Sequence, residues 1–314
     1  MLNVGNADSF MIRYFGDDDK EIVILIDAGK SHHGDKVAEH IQKYTTSGKV
    51  DLAICTHPDN DHIGGFHKVF DKIKIEEFWM HDPTQYRTTV KKMLKMEKDN
   101  GSPTRLLLEN LNQSISLMDR IGKIDDLIHK TPFAGLTYDK APITILAPSE
   151  PYYVDRLKDF KDIHQLFENR QGLLFEDYLY LDEKKAGIDG SKPNNSSVIT
   201  LFHPLLKKYL FTADADVTGL EEAKSNQDLS KLEWMQIPHH GSINNIDAKN
   251  LAFFDPELAY ISASGRENKP HATVIEMIKN NTRAKIFTTA DNGGMLLRCG
   301  TPPREDYSET ISVY

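Results

Sequence analysis

The chain has 314 residues, 39% of them apolar and 27% charged, which suits one large globular domain or two small ones with a sizeable core. A net charge of −9 supplies no global basic field for nucleic acid, and two cysteines make no disulfide framework. No apolar run reaches the length of a membrane span and no basic or apolar leader follows Met1, so the expectation is a protein without a signal peptide or membrane partner, in a reducing, cytoplasmic compartment.

Taken in chain order, Gly5-Asn6-Ala7-Asp8 reads as a backbone turn before two strands, Ser9 to Phe15 and Ile22 to Ile26. The segment Gly16 to Lys20 is the hairpin between them, and Asp27-Ala28-Gly29 ends the second strand. Lys36 to Tyr44 has helical spacing, with Val37, Ile41 and Tyr44 on one face. Val50 to Thr56 reads as a buried strand running into a turn at Pro58, with a further helix-like segment from Phe66 to Phe70 after Gly64-Gly65. From Tyr86 to about Lys130 the pattern is helical, and Leu106, Leu107, Leu111, Ile115, Met118 and Ile121 form a core-facing stripe. Thr144 to Ala147 is a short strand. Residues 150–192 are polar and aromatic, and Tyr152, Tyr153, Tyr178 and Tyr180 either rim a cleft or anchor a loop to the core. Ser197 to Phe202 and Lys208 to Thr212 read as a hairpin, the latter running into Ala213-Asp214-Ala215-Asp216 before a helix-like Gly219 to Ala223. Leu232 to Pro238 and Leu258 to Ser264 are strands ending in His239-His240-Gly241-Ser242 and in Arg266 to His271. Ala284 to Thr289 and Met295 to Arg298 are expected to close the sheet through a turn at Asn292-Gly293-Gly294. Strands and helices in this order imply layered α/β architecture, in which the strand ends carry sites.

The chemistry concentrates in His57-Pro58-Asp59-Asn60-Asp61-His62, whose imidazoles and carboxylates are the groups that hold Zn²⁺ or Mn²⁺. Strand alternation predicts His57, Asp59 and Asp61 on one side, with His62 turned beside them. His57 and Asp59 suit one metal, Asp61 and His62 another. Asp214 is placed to bridge them unless it caps the following helix, and Asp216 is its rival. Two cations together lower the pKa of a shared water, and Asp61 is a candidate acceptor for its proton. His239 and His240 point in different directions, so one is expected as a ligand (His240) and the other as a substrate contact or proton donor (His239). His271 is a candidate general acid or substrate contact, with a surface position as the alternative. Lys91, Lys92, Lys95 and Lys98 form either a local basic face for nucleic acid or a solvated face.

These residues resemble the metallo-β-lactamase superfamily, whose signature turn is H-x-H-x-D-H. The closer resemblance is to the ComEC-type branch, the hydrolase-like domain of bacterial DNA-uptake proteins. Its S-H-P-D-x-D-H-I-G-G is matched by Thr56 to Gly65, and its D-V-G-Q-G-D loosely by Asn3 to Asp8. Its N-N-x-S-V-L is matched by Asn194 to Val198, its L-L-T-G-D by Leu210 to Asp214, and its V-P-H-H-G-S by Ile237 to Ser242. The resemblance covers about residues 3–75 and 194–300. It implies an α/β fold, a four-layer αββα sandwich, formed by a single domain over 1–314 with a helical or irregular insertion over 80–190. It also implies one or two divalent metals, Zn or Mn, and phosphodiester hydrolysis with a nuclease-type substrate. The alternatives are hydrolysis of another ester, such as a phosphocholine ester or lactone, and a non-catalytic metal-binding module. Asp59 stands where most members have His, making that site harder and more favourable to Mn²⁺. The third His of the usual first site has no evident counterpart near Asn194-Asn195, and Ala213 replaces a usual Gly.

Overall fold

The structure, a computed structural model, describes residues 1–16, 18–86, 105–157, 196–299 and 308–313. Lys91, Lys92, Lys95, Lys98, Tyr178, Tyr180 and Asn194-Asn195 lie outside them.

Strands β1 (Phe10–Phe15) and β2 (Glu21–Ile26) form the expected hairpin. A helix, α1 (Gly34–Tyr44), leads to β3 (Val50–Ile54), and two short helices, α2 (Asn60–Ile63) and α3 (Phe66–Lys72), lead to β4 (Ile75–Trp79). Beyond it come α4 (Arg105–Ile121), β5 (Ile128–Lys130), β6 (Thr137–Tyr138), β7 (Ile143–Ala147) and α5 (Glu150–Leu157). The C-terminal half contributes β8 (Ile199–Phe202), β9 (Tyr209–Phe211), α6 (Val217–Asn226), β10 (Trp234–Gln236), α7 (Ala248–Phe254), β11 (Leu258–Ile261), α8 (Ala272–Asn281) and β12 (Lys285–Thr288).

Five strands pair in the order β1-β2-β3-β4-β5, parallel except for the first hairpin, and seven in the order β12-β11-β10-β9-β8-β7-β6. Strands β9 to β12 are parallel; β6 to β9 run alternately. The apolar residues separate into three layers of core. Ile22, Ile24, Ile26, Leu52, Ile54 and Trp79 meet Val198, Phe211, Trp234 and Tyr260 between the sheets. Val23, Leu25 and Phe78, on the opposite face of the first sheet, pack under Val37 and Ile41 of α1 and Phe66 of α3. Leu210, Met235 and Ile261 pack under Leu220, Leu251 and Val274 of α6, α7 and α8. Strands buried on both faces read as unbroken apolar runs, as Ile22 to Ile26 does. The result is an α/β/β/α sandwich.

Two expectations need correction. The helical reading from Tyr86 to Lys130 holds, among the described residues, only for α4. The chain then turns at Gly122 and at Asp126, where φ is +64°, and Ile128–Lys130 joins the first sheet beside β4. Strand β4 itself was not read from the sequence, nor were β5 and β6. Met295 to Arg298 does not close the second sheet. The Thr288 hydroxyl accepts from Asp291 N and starts a helical turn, α9 (Thr289–Asn292), which redirects the chain. Strand β13 (Met295–Cys299) then pairs in parallel with β14 (Ser308–Val313), and Met295 N donates to Met1 O.

Candidate metal centre

The parallel strands β2, β3, β9, β10 and β11 all end at one edge of the sandwich, and the loops leaving them carry His57, Asp59, Asp61, His62, Asp214, His239 and His240. The loops are laced by backbone hydrogen bonds. Asp8 N donates to Asp61 O (3.0 Å), Ala28 N to His62 O (2.9 Å), Gly29 N to Asp8 O (2.8 Å) and Gly65 N to Gly29 O (2.8 Å). Gly64 and Gly65 allow this approach. A Cβ on Gly65 would fall 2.1 Å from Ala28 O, and one on Gly64 2.5 Å from Asn60 O.

Alternation does not continue through the signature turn, because the strand ends at Ile54 and residues 60–63 are helical. His62 is therefore the central, fully buried member of the turn rather than a flank. The Asp59 and Asp61 side chains keep 20% and 27% of their surface in solvent. Asp59 stands at the N-cap of α2, but its carboxylate does not close the cap and lies 3.9 Å from His57 Nε2.

Each imidazole has its Nδ1 spoken for. His62 Nδ1 donates to Asp27 Oδ2 (2.7 Å), His240 Nδ1 to the carbonyl of Ser262 (2.8 Å) and His239 Nδ1 to Asn245 Oδ1 (3.0 Å). His57 Nδ1 lies 3.1 Å from the Thr56 hydroxyl, which itself donates to Asp27 Oδ2 (2.7 Å) and so accepts from the ring. Such bonds leave Nε2 as the atom each ring presents, the usual outer-sphere arrangement of metal-bound histidine.

The presented atoms converge on Asp214. Its Oδ1 lies 3.3 Å from His62 Nε2, and its Oδ2 lies 3.9 Å from His57 Nε2 and 3.6 Å from His239 Nε2. His240 Nε2 lies 3.4 Å from Asp61 Oδ2. Two donor groups result, His57–His62–Asp214 and Asp61–His62–His240. A third grouping, Asp8–Asp27–His62, depends on His62 Nδ1, which already donates to Asp27 and is not available to a cation. Asp216, the rival bridge, is occupied elsewhere: its Oδ1 accepts from Gly219 N (2.9 Å) as the N-cap of α6. His271 joins neither donor group. Its Nδ1 accepts from Thr273 N (3.2 Å) to cap α8, while its own amide donates to Gly241 O (3.0 Å).

The donor set fits a divalent cation. His57 Nε2, His62 Nε2 and Asp214 Oδ1 are fully buried and lack a hydrogen-bond partner, an unfavourable arrangement unless a cation supplies one. The electrostatics agree. Burial alone would raise the Asp214 carboxyl, but His239, His62 and His240 hold it well below the usual range. Burial disfavours the His62 imidazolium, yet Asp214 and Asp27 outweigh it and hold its pKa well above the usual value. Burial, aided by His62, pushes His57 down to about 3.

A match to the metallo-beta-lactamase superfamily model runs over residues 2–266. The chain belongs to the metallo-β-lactamase superfamily. No curated protein matches it in sequence. The superfamily is largely one of hydrolases dependent on divalent metal, and the donor groups here suit that chemistry. The αββα sandwich seen in the two sheets and their helices is the fold the family match implies.

Several supporting residues escaped the sequence reading. Asp27 accepts from Thr56 N (2.9 Å), the Thr56 hydroxyl and His62, and so joins the ends of β2 and β3. Gln236 accepts from the amides of Thr212 and Ala213 (both 3.1 Å) and donates to Asp8 Oδ2 (2.6 Å). Asn245 donates to Asp214 O (2.9 Å) while orienting His239. The available signal was position: Asp8, Asp27 and Gln236 adjoin strand ends on one edge. Of the tyrosines read as rim or anchor, Tyr153 is buried and stacks on His81 at 4.1 Å, and both line a cavity that also touches His57.

Proposed function

We propose that this protein is a phosphodiesterase of the ComEC-like branch, acting on a nuclease-type substrate. The observation that carries the reading is Asp214, wedged between His57, His62 and His239 with a carboxylate oxygen toward each. Three carboxylates, Asp59, Asp61 and Asp214, make the donor set oxygen-rich, which supports Mn²⁺ beside Zn²⁺. The groups His57–His62–Asp214 and Asp61–His62–His240, with Asp59 beside His57, would hold one or two divalent cations, which when bound would supply Lewis acidity and lower the pKa of water.

The chain's own groups do the rest. The Nδ1 bonds to Asp27, Ser262 and Asn245 orient the rings of His62, His240 and His239. Asp61 is an ionised carboxylate at neutral pH, held low by its bond to His240 against the effect of burial, and it receives a proton only transiently. His239 has 22% of its side chain in solvent, its Nδ1 is fixed on Asn245, and its pKa lies below the usual value through burial. A neutral ring with its proton on Nδ1 presents a lone pair at Nε2, and at the mouth of the site it is suited to accept a hydrogen bond from the substrate or from water. His271 has only Nε2 left for a substrate contact. A cytoplasmic setting belongs to the same reading, supported by the free, buried thiol of Cys55. Among the described residues no helix is long and apolar enough to cross a membrane.

The test is metal analysis of the purified protein, followed by turnover of bis-p-nitrophenyl phosphate, DNA and RNA with Mn²⁺ or Zn²⁺, with Asp214→Ala alongside. Metal-dependent turnover lost in the variant is expected. Bound metal with turnover only of lactones or phosphocholine esters would replace the substrate assignment, and absence of metal binding would leave a non-catalytic module.

A further inference from the structure

The cavity that His81 and Tyr153 line lies at the same edge of the sandwich as the metal centre. Its walls come from the chain leaving β3 (His57, Pro58), the chain leaving β4 (Met80, His81, Pro83) and Tyr153 of α5, which follows β7. Strand β4 is parallel to β3, and β7 runs the same way as β9 because each is antiparallel to β8, so these segments emerge where Asp214 does. His57 therefore takes part in both spaces: its Nε2 faces Asp214 at 3.9 Å, and the residue forms a wall of the cavity. Counted with the solvent at its mouth the space is about 320 Å³, the size at which small-ligand pockets begin. Its enclosed part is only about 10 Å³, room for one water or one hydroxyl group.

The His81 residue is 7% exposed, its ring stacked on Tyr153 (4.1 Å) and tilted against Phe133 (4.9 Å). Its Nε2 is buried without a hydrogen-bond partner among the described residues. Burial holds the ring neutral, so it carries one N–H and one lone pair. An orphaned polar atom in the wall of a cavity is unfavourable unless something enters to meet it. No carboxylate, lysine or arginine lines the space, and Pro58, Met80 and Pro83 make it largely apolar, so a charged phosphate oxygen gains nothing there. A hydroxyl both donates and accepts, and so meets the ring in either tautomer. In a ribonucleotide diester the 2′-hydroxyl stands on the carbon next to the one bearing the 3′ ester oxygen, whereas deoxyribose has only hydrogen there. We propose that His81 is a specificity-determining residue that receives a sugar hydroxyl of the substrate in this cavity, selecting ribose over deoxyribose diesters. The Tyr153 stack holds the plane of the ring. The inference rests on the phosphodiesterase reading, and it adds to that reading the sugar that the site selects.

The experiment uses the full chain loaded with Mn²⁺ and reads binding of adenosine 3′-monophosphate and its 2′-deoxy counterpart by titration calorimetry; neither has a diester to cleave. Wild type should bind the ribonucleotide about five- to tenfold tighter, the worth of one hydrogen bond to a neutral group. In His81→Phe, which keeps a ring against Tyr153, the ratio should fall to within about twofold of unity, and in His81→Gln, which restores a donor and an acceptor, it should return to about threefold or more. A ratio near unity in wild type overturns the proposal, and so does an unchanged ratio in His81→Phe. In a second arm, kcat and KM are compared for a ribodinucleotide and the matching deoxyribodinucleotide. The preference should reside in KM and vanish in His81→Phe; a preference that survives the substitution overturns the assignment. Selective binding of the ribonucleotide without turnover of either dinucleotide leaves the hydroxyl site standing and removes the phosphodiesterase reading. Turnover of both with no sugar preference removes the site and leaves the reading.

Discussion

Asp27 and His62 are joined by a 2.7 Å hydrogen bond between two fully buried side chains, from Nδ1 to Oδ2. That bond decides which nitrogen of His62 reaches Asp214, because a ring that donates at Nδ1 offers its lone pair at Nε2. The Asp27 carboxylate holds no donor-group position of its own; it acts through the ring.

Asp27→Asn should therefore leave the fold in place and weaken metal binding. The amide keeps the shape but removes the charge that favours donation from His62. Outer-sphere changes of this kind lower metal affinity about 10–100-fold. Titration with Mn²⁺ and Zn²⁺, alongside circular dichroism to check folding, gives the answer; unaltered affinity would reduce Asp27 to a structural tie between β2 and β3.

Gly65→Ala tests the lacing of the loops. The added methyl would lie 2.1 Å from Ala28 O and 2.9 Å from Ala28 C, both backbone atoms that move only with the loop. A loss of about 3 kcal/mol is expected in urea denaturation, with weakened metal binding at temperatures where the variant remains folded. A loss below about 1 kcal/mol would show that the turn gives way easily.

Ala213→Gly should go the other way. Ala213 sits at φ +48°, where a Cβ is disfavoured, and its amide donates to Gln236 Oε1 at 3.1 Å regardless of side chain. Relief of the left-handed strain exceeds the added chain entropy of glycine, for a gain of about 0.5–1 kcal/mol. Denaturation midpoints of the two proteins, both metal-free, measure it.

His81 sets a pH dependence outside the donor groups. Burial holds it down to about 3, so between that value and its ordinary 6.5 the unfolded chain binds a proton that the folded one does not. Stability from this group is full above about pH 6.5 and falls as the pH drops towards 3. His81→Phe keeps a ring against Tyr153 and removes the titration. Between pH 7 and 5 it should lose about 2 kcal/mol less stability than wild type. Parallel loss in both proteins would mean that His81 finds water or a partner when protonated.

The sequence by itself carried the element pattern and the chemical inventory. The apolar runs at Ile22 to Ile26 and Val50 to Ile54, and the stripe on α1, are legible because burial imposes period and composition on neighbouring residues. That His57, Asp61, His62, Asp214 and His240 gather at one edge was legible because imidazoles and carboxylates crowd the ends of their strands. Short strands such as Ile128–Lys130, and the departure of β13 from the second sheet, were not, since a few residues hold no period and pairing is settled by partners far along the chain.

Tertiary structure alone decided three things about the site. It put Asp216 on the N-cap of α6 and left Asp214 to the histidines, although only Ala215 separates them and either is a carboxylate. It joined His240 to Asp61 across 179 positions of sequence. It also enlisted Asp27, Gln236 and Asn245, whose roles exist only once the ends of distant strands share an edge. Local sequence dictates what a residue is able to donate or accept. Which groups it meets depends on how the two sheets stack, and that is a property of the whole buried core.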